Sequence, residues 1–128
     1  MKRLLATLAL ATVALAAAAC SSTNAGVPTA PAAPADPNAP VVVAKDMQFV
    51  TRDVQVPAGK AFQLSFTNSD GAPHNVAIYT DSSASTNLFR GEIFSSATKV
   101  EQVPALAAGT YFFRCDVHPD MQGTITAQ

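Results

Sequence analysis

Four residues of this chain have the types and spacing to do chemistry together. Near the C-terminal end, "CDVHPDM" places Cys115, His118 and Met121 within seven residues. The only other histidine, His74, lies well upstream behind the turn sequence "SDGAP". Thiolate and neutral imidazole are soft to borderline metal ligands. Two imidazoles and one thiolate in a plane, with a long and weak thioether bond on the axis, form the type-1 copper arrangement. Taken singly, His74 is a turn residue before a strand, and Cys115 a small core hydrophobe. His118-Pro119 is a turn, and Met121 is packing. Their order and number, with no spare histidine to compete, favour the joint reading.

The elements that must position them read as β. Short apolar runs recur between turn signals: "VVVAKDMQFV" (41–50), "DVQV" (53–56), "AFQLSFTN" (61–68) and "HNVAIYT" (74–80). "KVEQV" (99–103), "TYFFRC" (110–115) and "QGTITAQ" (122–128) complete the set. The segment 81–91 is polar and expected to be loop or a short helical turn. No helical period competes, so an all-β sandwich or barrel is expected. Residues two apart on a strand share a face. His74 then faces with Val76 and Ile78, Cys115 with Phe113 and Tyr111, and Met121 with Gly123 and Ile125. If those apolar residues form the core, the three ligands meet at its edge. Met47 is expected in the core, and Asp116 and Asp120 are expected as solvent-facing turn residues.

The first forty residues are of another kind. Met1-Lys2-Arg3 precedes sixteen uncharged residues, Leu4 to Ala19. That run is short of the ~20 residues a membrane span needs, and it has the form of a secretory signal peptide over 1–19. "AAACSS" then resembles a bacterial lipoprotein lipobox, with Ala17 where leucine is usual; the resemblance implies lipid attachment at Cys20. The alternative is ordinary cleavage after an alanine; both readings export the chain. Residues 20–40 follow as a Pro/Ala-rich tether. Its prolines at 28, 31, 34, 37 and 40 favour extended polyproline II, with a reach on the order of 60 Å. Without Lys2 and Arg3, six basic residues face nine acidic ones, and no basic stripe suggests nucleic acid. In an oxidising compartment a lone Cys115 needs a reason, and bound metal is one.

Residues 41–128 resemble a cupredoxin, the blue-copper family that includes plastocyanin, amicyanin and pseudoazurin. "GAPHNVAIY" (71–79) is similar to the family's Pro-His-Asn strand start. "CDVHPDM" has the Cys-x₂-His-x₂-Met spacing of the amicyanin loop, and "YFFRC" and "QGTITAQ" resemble the last two strands. The resemblance implies a Greek-key β-sandwich of about 7–8 strands holding one type-1 copper ion. It makes His74, Cys115 and His118 equatorial ligands, Met121 the axial one, and Asn75 a brace for the cysteine loop. The other metal readings fit less well. Thioether is a poor zinc ligand. A binuclear copper site needs a second cysteine. A multicopper oxidase would carry histidines beside the cysteine, where Arg114 and Asp116 stand.

The function expected is a one-electron carrier, not an enzyme, exported to the periplasm or the outer face of a bacterial cell membrane and held there by its lipid. Redox partners would dock briefly near His118, on a rim of Ala72, Pro73 and Pro119, with the carrier itself a monomer. The alternative is a copper-binding or delivery protein with no electron partner.

Overall fold

The computed structural model describes residues 35–128. The expected signal peptide, Cys20 and most of the expected tether lie outside the described residues. Nine strands form two sheets, and no other regular element appears among the described residues. One sheet contains β1 (Val41–Lys45), β2 (Gln48–Phe49), β4 (Phe62–Asn68) and β7 (Ala97–Val103), in the order β2-β1-β4-β7. The other contains β3 (Asp53–Val56), β5 (Ala77–Tyr79), β6 (Asn87–Arg90), β8 (Gly109–Arg114) and β9 (Gln122–Ala127), in the order β3-β9-β8-β5-β6. β1 runs parallel to β4 and β3 parallel to β9, so the opening strands seal both sheets against later ones. The expected all-β sandwich stands.

Alternation in the sequence becomes two inner faces. Phe62, Leu64 and Phe66 of β4 and Val42 and Ala44 of β1 are buried from one side. Val54, Val56, Ile78, Phe113 and Ile125 are buried from the other. Phe49, Phe66 and Phe113 join them through ring contacts at 6.2 and 5.2 Å. Gly123 lies opposite Phe113 in the β8–β9 ladder. A Cβ there would come within 2.5 Å of the Phe113 ring and of the Arg52 carbonyl, so glycine is what lets the ring fill the core below the Cys115 loop.

Three local expectations change. The run 41–50 is not one strand, because Asp46 and Met47 form a two-residue turn with φ of 54° and 60°. Positive φ at both positions suits the right-handed twist of a hairpin, and it turns Met47 outward to 47% exposure rather than into the core. Within 81–91, Asn87–Arg90 is strand β6, paired along β5; its two apolar residues, Leu88 and Phe89, were too few to stand out in a polar stretch. The last residues of the expected tether are already attached to the domain. The Asp36 amide donates to Gln63 Oε1 at 2.6 Å, and the Ser65 amide donates to the Pro40 carbonyl at 2.9 Å.

One inward strand position carries a carboxyl. Glu101 of β7 is opposite Leu64 and is 9% exposed. Its Oε1 accepts the Glu92 amide at 2.8 Å, while its buried Oε2 has no partner. Burial pushes this carboxyl above its ordinary value of 4.5, against the pull of the Glu92 amide; the Glu92 charge adds to the rise and Lys99 opposes it. A carboxyl raised by folding stabilises below its unfolded value, and that stability is lost as pH rises through the folded one. Thermal unfolding of the metal-free chain from about pH 4 to 8 should therefore show stability falling by about 1–3 kcal/mol, the scale of an unsatisfied buried group. Glu101→Gln should flatten that slope; an unchanged slope would assign it elsewhere.

Candidate metal centre

His74, Cys115 and His118 converge, although His74 is remote in sequence from the other two. Their ligand atoms lie within 4.8 Å of one another. Cys115 Sγ is 3.7 Å from His74 Nδ1 and 4.0 Å from His118 Nδ1, and the two Nδ1 atoms are 3.1 Å apart. The rings meet edge to face with centroids 4.8 Å apart. His74 and Cys115 are fully buried and His118 is half-buried. The expected sharing of faces holds: His74 is buried with Val76 and Ile78, and Cys115 with Phe113.

His74 does not begin a strand as expected. It forms a single antiparallel bridge with Phe94, its amide donating to the Phe94 carbonyl at 3.0 Å and its carbonyl accepting the Phe94 amide at 3.1 Å. Asn68, buried at the end of β4, donates to the carbonyls of Ala72 and Phe94 at 2.9 and 2.7 Å. It also accepts the Asp70 amide at 2.9 Å. One asparagine thus fixes both segments that carry the histidine. The C-terminal loop closes on itself. The Cys115 amide donates to the Met121 carbonyl at 2.9 Å, and the Met121 amide donates to the His118 carbonyl at 3.0 Å. Met121, immediately before β9, is 3% exposed.

Asn75 joins the two halves. It is fully buried, and its Oδ1 accepts the Asp116 amide at 2.8 Å, while its Nδ2 reaches the Gly91 carbonyl at 3.4 Å. The residue after His74 therefore holds the residue after Cys115. Asp116 is not the solvent-facing turn residue expected. Its side chain is 16% exposed and lies between Arg90 and Arg114.

Asp70 is the residue that sequence reasoning missed most. In the sequence it is one residue of the turn signal "SDGAP", and only its position four residues before His74 hints at more. Its Oδ1 accepts the Asp46 amide at 2.8 Å and its Oδ2 the Met47 amide at 3.0 Å, which secures the positive-φ turn between β1 and β2. The same Oδ2 lies 3.1 Å from His74 Nε2. The Met47 amide most of all, with the Asp46 amide and the His74 ring, holds this carboxyl below the usual aspartate range; burial opposes them, second in weight only to the Met47 amide. A carboxylate accepts only, so the His74 proton sits on Nε2 and the lone pair on Nδ1. That lone pair points at Cys115 and His118. The donor set, two imidazole nitrogens with one ready in its unprotonated state and one buried thiol, fits a single type-1 copper ion.

Known proteins share the family and the fold. The cupredoxin-like domain family matches residues 7–127. Amicyanin of Paracoccus versutus is 31% identical over 103 residues, covering 77% of this chain and 73% of the relative. Amicyanin-alpha of Methylorubrum extorquens is 30% identical over 128 residues, covering all of both chains. Among solved structures, the Paracoccus versutus amicyanin superposes with a TM-score of 0.58 at 28% identity, over 73% of this chain and 85% of that one. Dithionite-reduced auracyanin of Roseiflexus castenholzii gives a TM-score of 0.60 at 17% identity, over 69% and 94%, and speaks for the fold.

Asp70 supplies a test of this arrangement. An anion on the far side of an imidazole ligand favours the more highly charged metal state. Asp70→Asn should raise the reduction potential of the copper-loaded chain and weaken Cu(II) binding about 10–100-fold, as loss of a ligand-orienting contact does. Voltammetry and competition titration measure both; values equal to the parent's would show that Asp70 serves the turn alone.

Proposed function

We propose that this chain, which belongs to the cupredoxin-like family, carries single electrons by cycling one bound copper ion between Cu(I) and Cu(II). It is a carrier, not an enzyme. His74, Cys115 and His118 would hold the ion, with Met121 as a further ligand from the same loop. The observation that carries the reading is the convergence of two Nδ1 atoms on one buried thiol, with the His74 tautomer set by Asp70.

Copper bound there supplies the redox change. The protein supplies constancy. His74 is held through its ring by Asp70 and through its backbone by Phe94, and the Cys115–Met121 loop is closed by its own backbone bonds. Ligands fixed in this way move little between oxidation states, which favours rapid electron exchange. His118 is the more exposed imidazole, and Pro73 and Pro119 near it are exposed, with Val117 of the same loop 40% exposed. A small apolar rim of this kind suits brief docking with a redox partner. The names of the amicyanin relatives support the same reading. The chain acts as a monomer, exported to the periplasm or the outer face of the cell membrane and tethered by lipid on Cys20 through residues 20–40. The charge-free run Leu4–Ala19 and the proline spacing support that placement.

Adding Cu(II) to the purified chain should produce the intense blue of copper–thiolate charge transfer at one copper per chain. Cys115→Ser should abolish it. Reduction and reoxidation should then cycle the colour with the copper retained. Absence of the blue species, or its survival in Cys115→Ser, sinks the assignment. Copper handed to a Cu(I) acceptor on reduction would favour delivery over electron transfer.

A further inference from the structure

We infer that Asp116 is a positioning residue, pinned on the outer face of its sheet so that Cys115 Sγ is held still on the inner face. Ala77 of β5 pairs with Arg90 of β6 on one side and Arg114 of β8 on the other. Cross-strand partners share a face, and alternate residues along a strand share one too. Ile78 and Phe113 are paired and fully buried in the core. Ala77, Tyr79, Arg90 and Arg114 therefore project from the opposite, outer side. The Cys115 amide continues the β8–β9 ladder through its bond to the Met121 carbonyl. Cys115 thus follows Phe113 inward, and Asp116 turns outward.

The outward carboxylate lands in a prepared place. Ala77 has no side chain beyond Cβ, which leaves room between the two arginines. Asp116 Oδ1 accepts the Tyr79 hydroxyl at 2.5 Å and lies 3.7 Å from Arg114 Nε. Oδ2 is 2.9 Å from Arg90 Nε and 3.5 Å from Asn75 Nδ2. Arg114 in turn lies over the Tyr79 ring, 5.0 Å from its centroid. The cluster covers its own sheet: Ala77 and Tyr79 face outward yet are 0% and 3% exposed. Arg114 Nε is buried with no hydrogen bond of its own, so this carboxylate is its compensating charge.

The consequence for the thiol follows from covalent geometry. Cys115 and Asp116 share a peptide, whose N–H is held by Asn75. With the carboxylate tied to β5, β6 and β8, the Cys115 backbone cannot swing without breaking charge-assisted bonds, which are among the stronger ones. Removing the carboxylate also leaves two guanidinium groups facing each other across an alanine. The inference that this serves copper rests on the proposed function; the immobilisation of the thiol does not.

Asp116→Ala tests both parts. In the metal-free chain, alkylation of Cys115 by iodoacetamide should speed up at least about tenfold, since local opening becomes easier. In the copper-loaded chain, Cu(II) affinity should fall about 10–100-fold, with altered relative intensities of the thiolate charge-transfer bands. Asp81→Asn, which removes an exposed turn carboxylate, should change neither. Tyr79→Phe removes one hydroxyl, should shift both readouts the same way by less, and decides the matter if Asp116→Ala does not fold. A variant that melts earlier, yet keeps the parent's alkylation rate and copper spectrum, would show the cluster to be surface packing only. If the parent binds no copper, the proposed function fails, while the alkylation experiment still decides whether Asp116 restrains the thiol.

Discussion

The structure depends on holding three electron-pair donors face to face. His74 Nδ1, His118 Nδ1 and Cys115 Sγ sit 3.1 to 4.0 Å apart in a largely buried site. Groups of this kind prefer water, and bringing them together without full hydrogen bonding costs free energy. The chain holds them there because His74 and Cys115 are fixed from behind. Asp70 takes the outer nitrogen of His74, Phe94 takes its backbone, and Asn75 takes the peptide after Cys115. A cation placed between the three donors would relieve the cost. A site that keeps its donors crowded by outside restraint is adapted to receive a metal without reorganising around it.

The restraint comes from the sandwich, not from the loop alone. Phe113 and Ile78 fill the core under Cys115 and His74, and Gly123 provides the space for the Phe113 ring. Asn68 at the end of β4 ties one sheet to the segments carrying His74. Asp70 couples the same histidine to a turn whose two residues hold positive φ without glycine. Such backbone is strained by about 1–3 kcal/mol per residue and persists only where surroundings enforce it. The carboxylate that enforces it is the one that orients the imidazole.

Much of this was legible in the sequence. The spacing within Cys115–Met121, the scarcity of histidine and the two-residue period of the flanking strands were enough to bring His74 and Cys115 to one edge of the core. Parity works because the strand period is fixed by backbone geometry. What stayed hidden depends on contacts between segments far apart in sequence. Asp70 and Asp116 look like ordinary turn residues, since a local reading cannot show which amides or guanidinium groups will approach them. Met47 sat in an apolar run, and only the turn geometry reveals that it points outward. Strand β6 escaped notice because its pairing with β5, not its composition, makes it a strand. The export signal and Cys20 rest on sequence pattern alone.

The fold builds the ligand cluster before any metal arrives. Crystal structures of the chain without metal and with copper, in both oxidation states, test it most directly. Copper should be bound by His74 Nδ1, Cys115 Sγ and His118 Nδ1. His74 and Cys115 should keep their rotamers, and the Asp70 and Asn75 hydrogen bonds should persist in all three states. A metal-free structure with the His74 ring turned away from Cys115, or copper bound elsewhere, would contradict it.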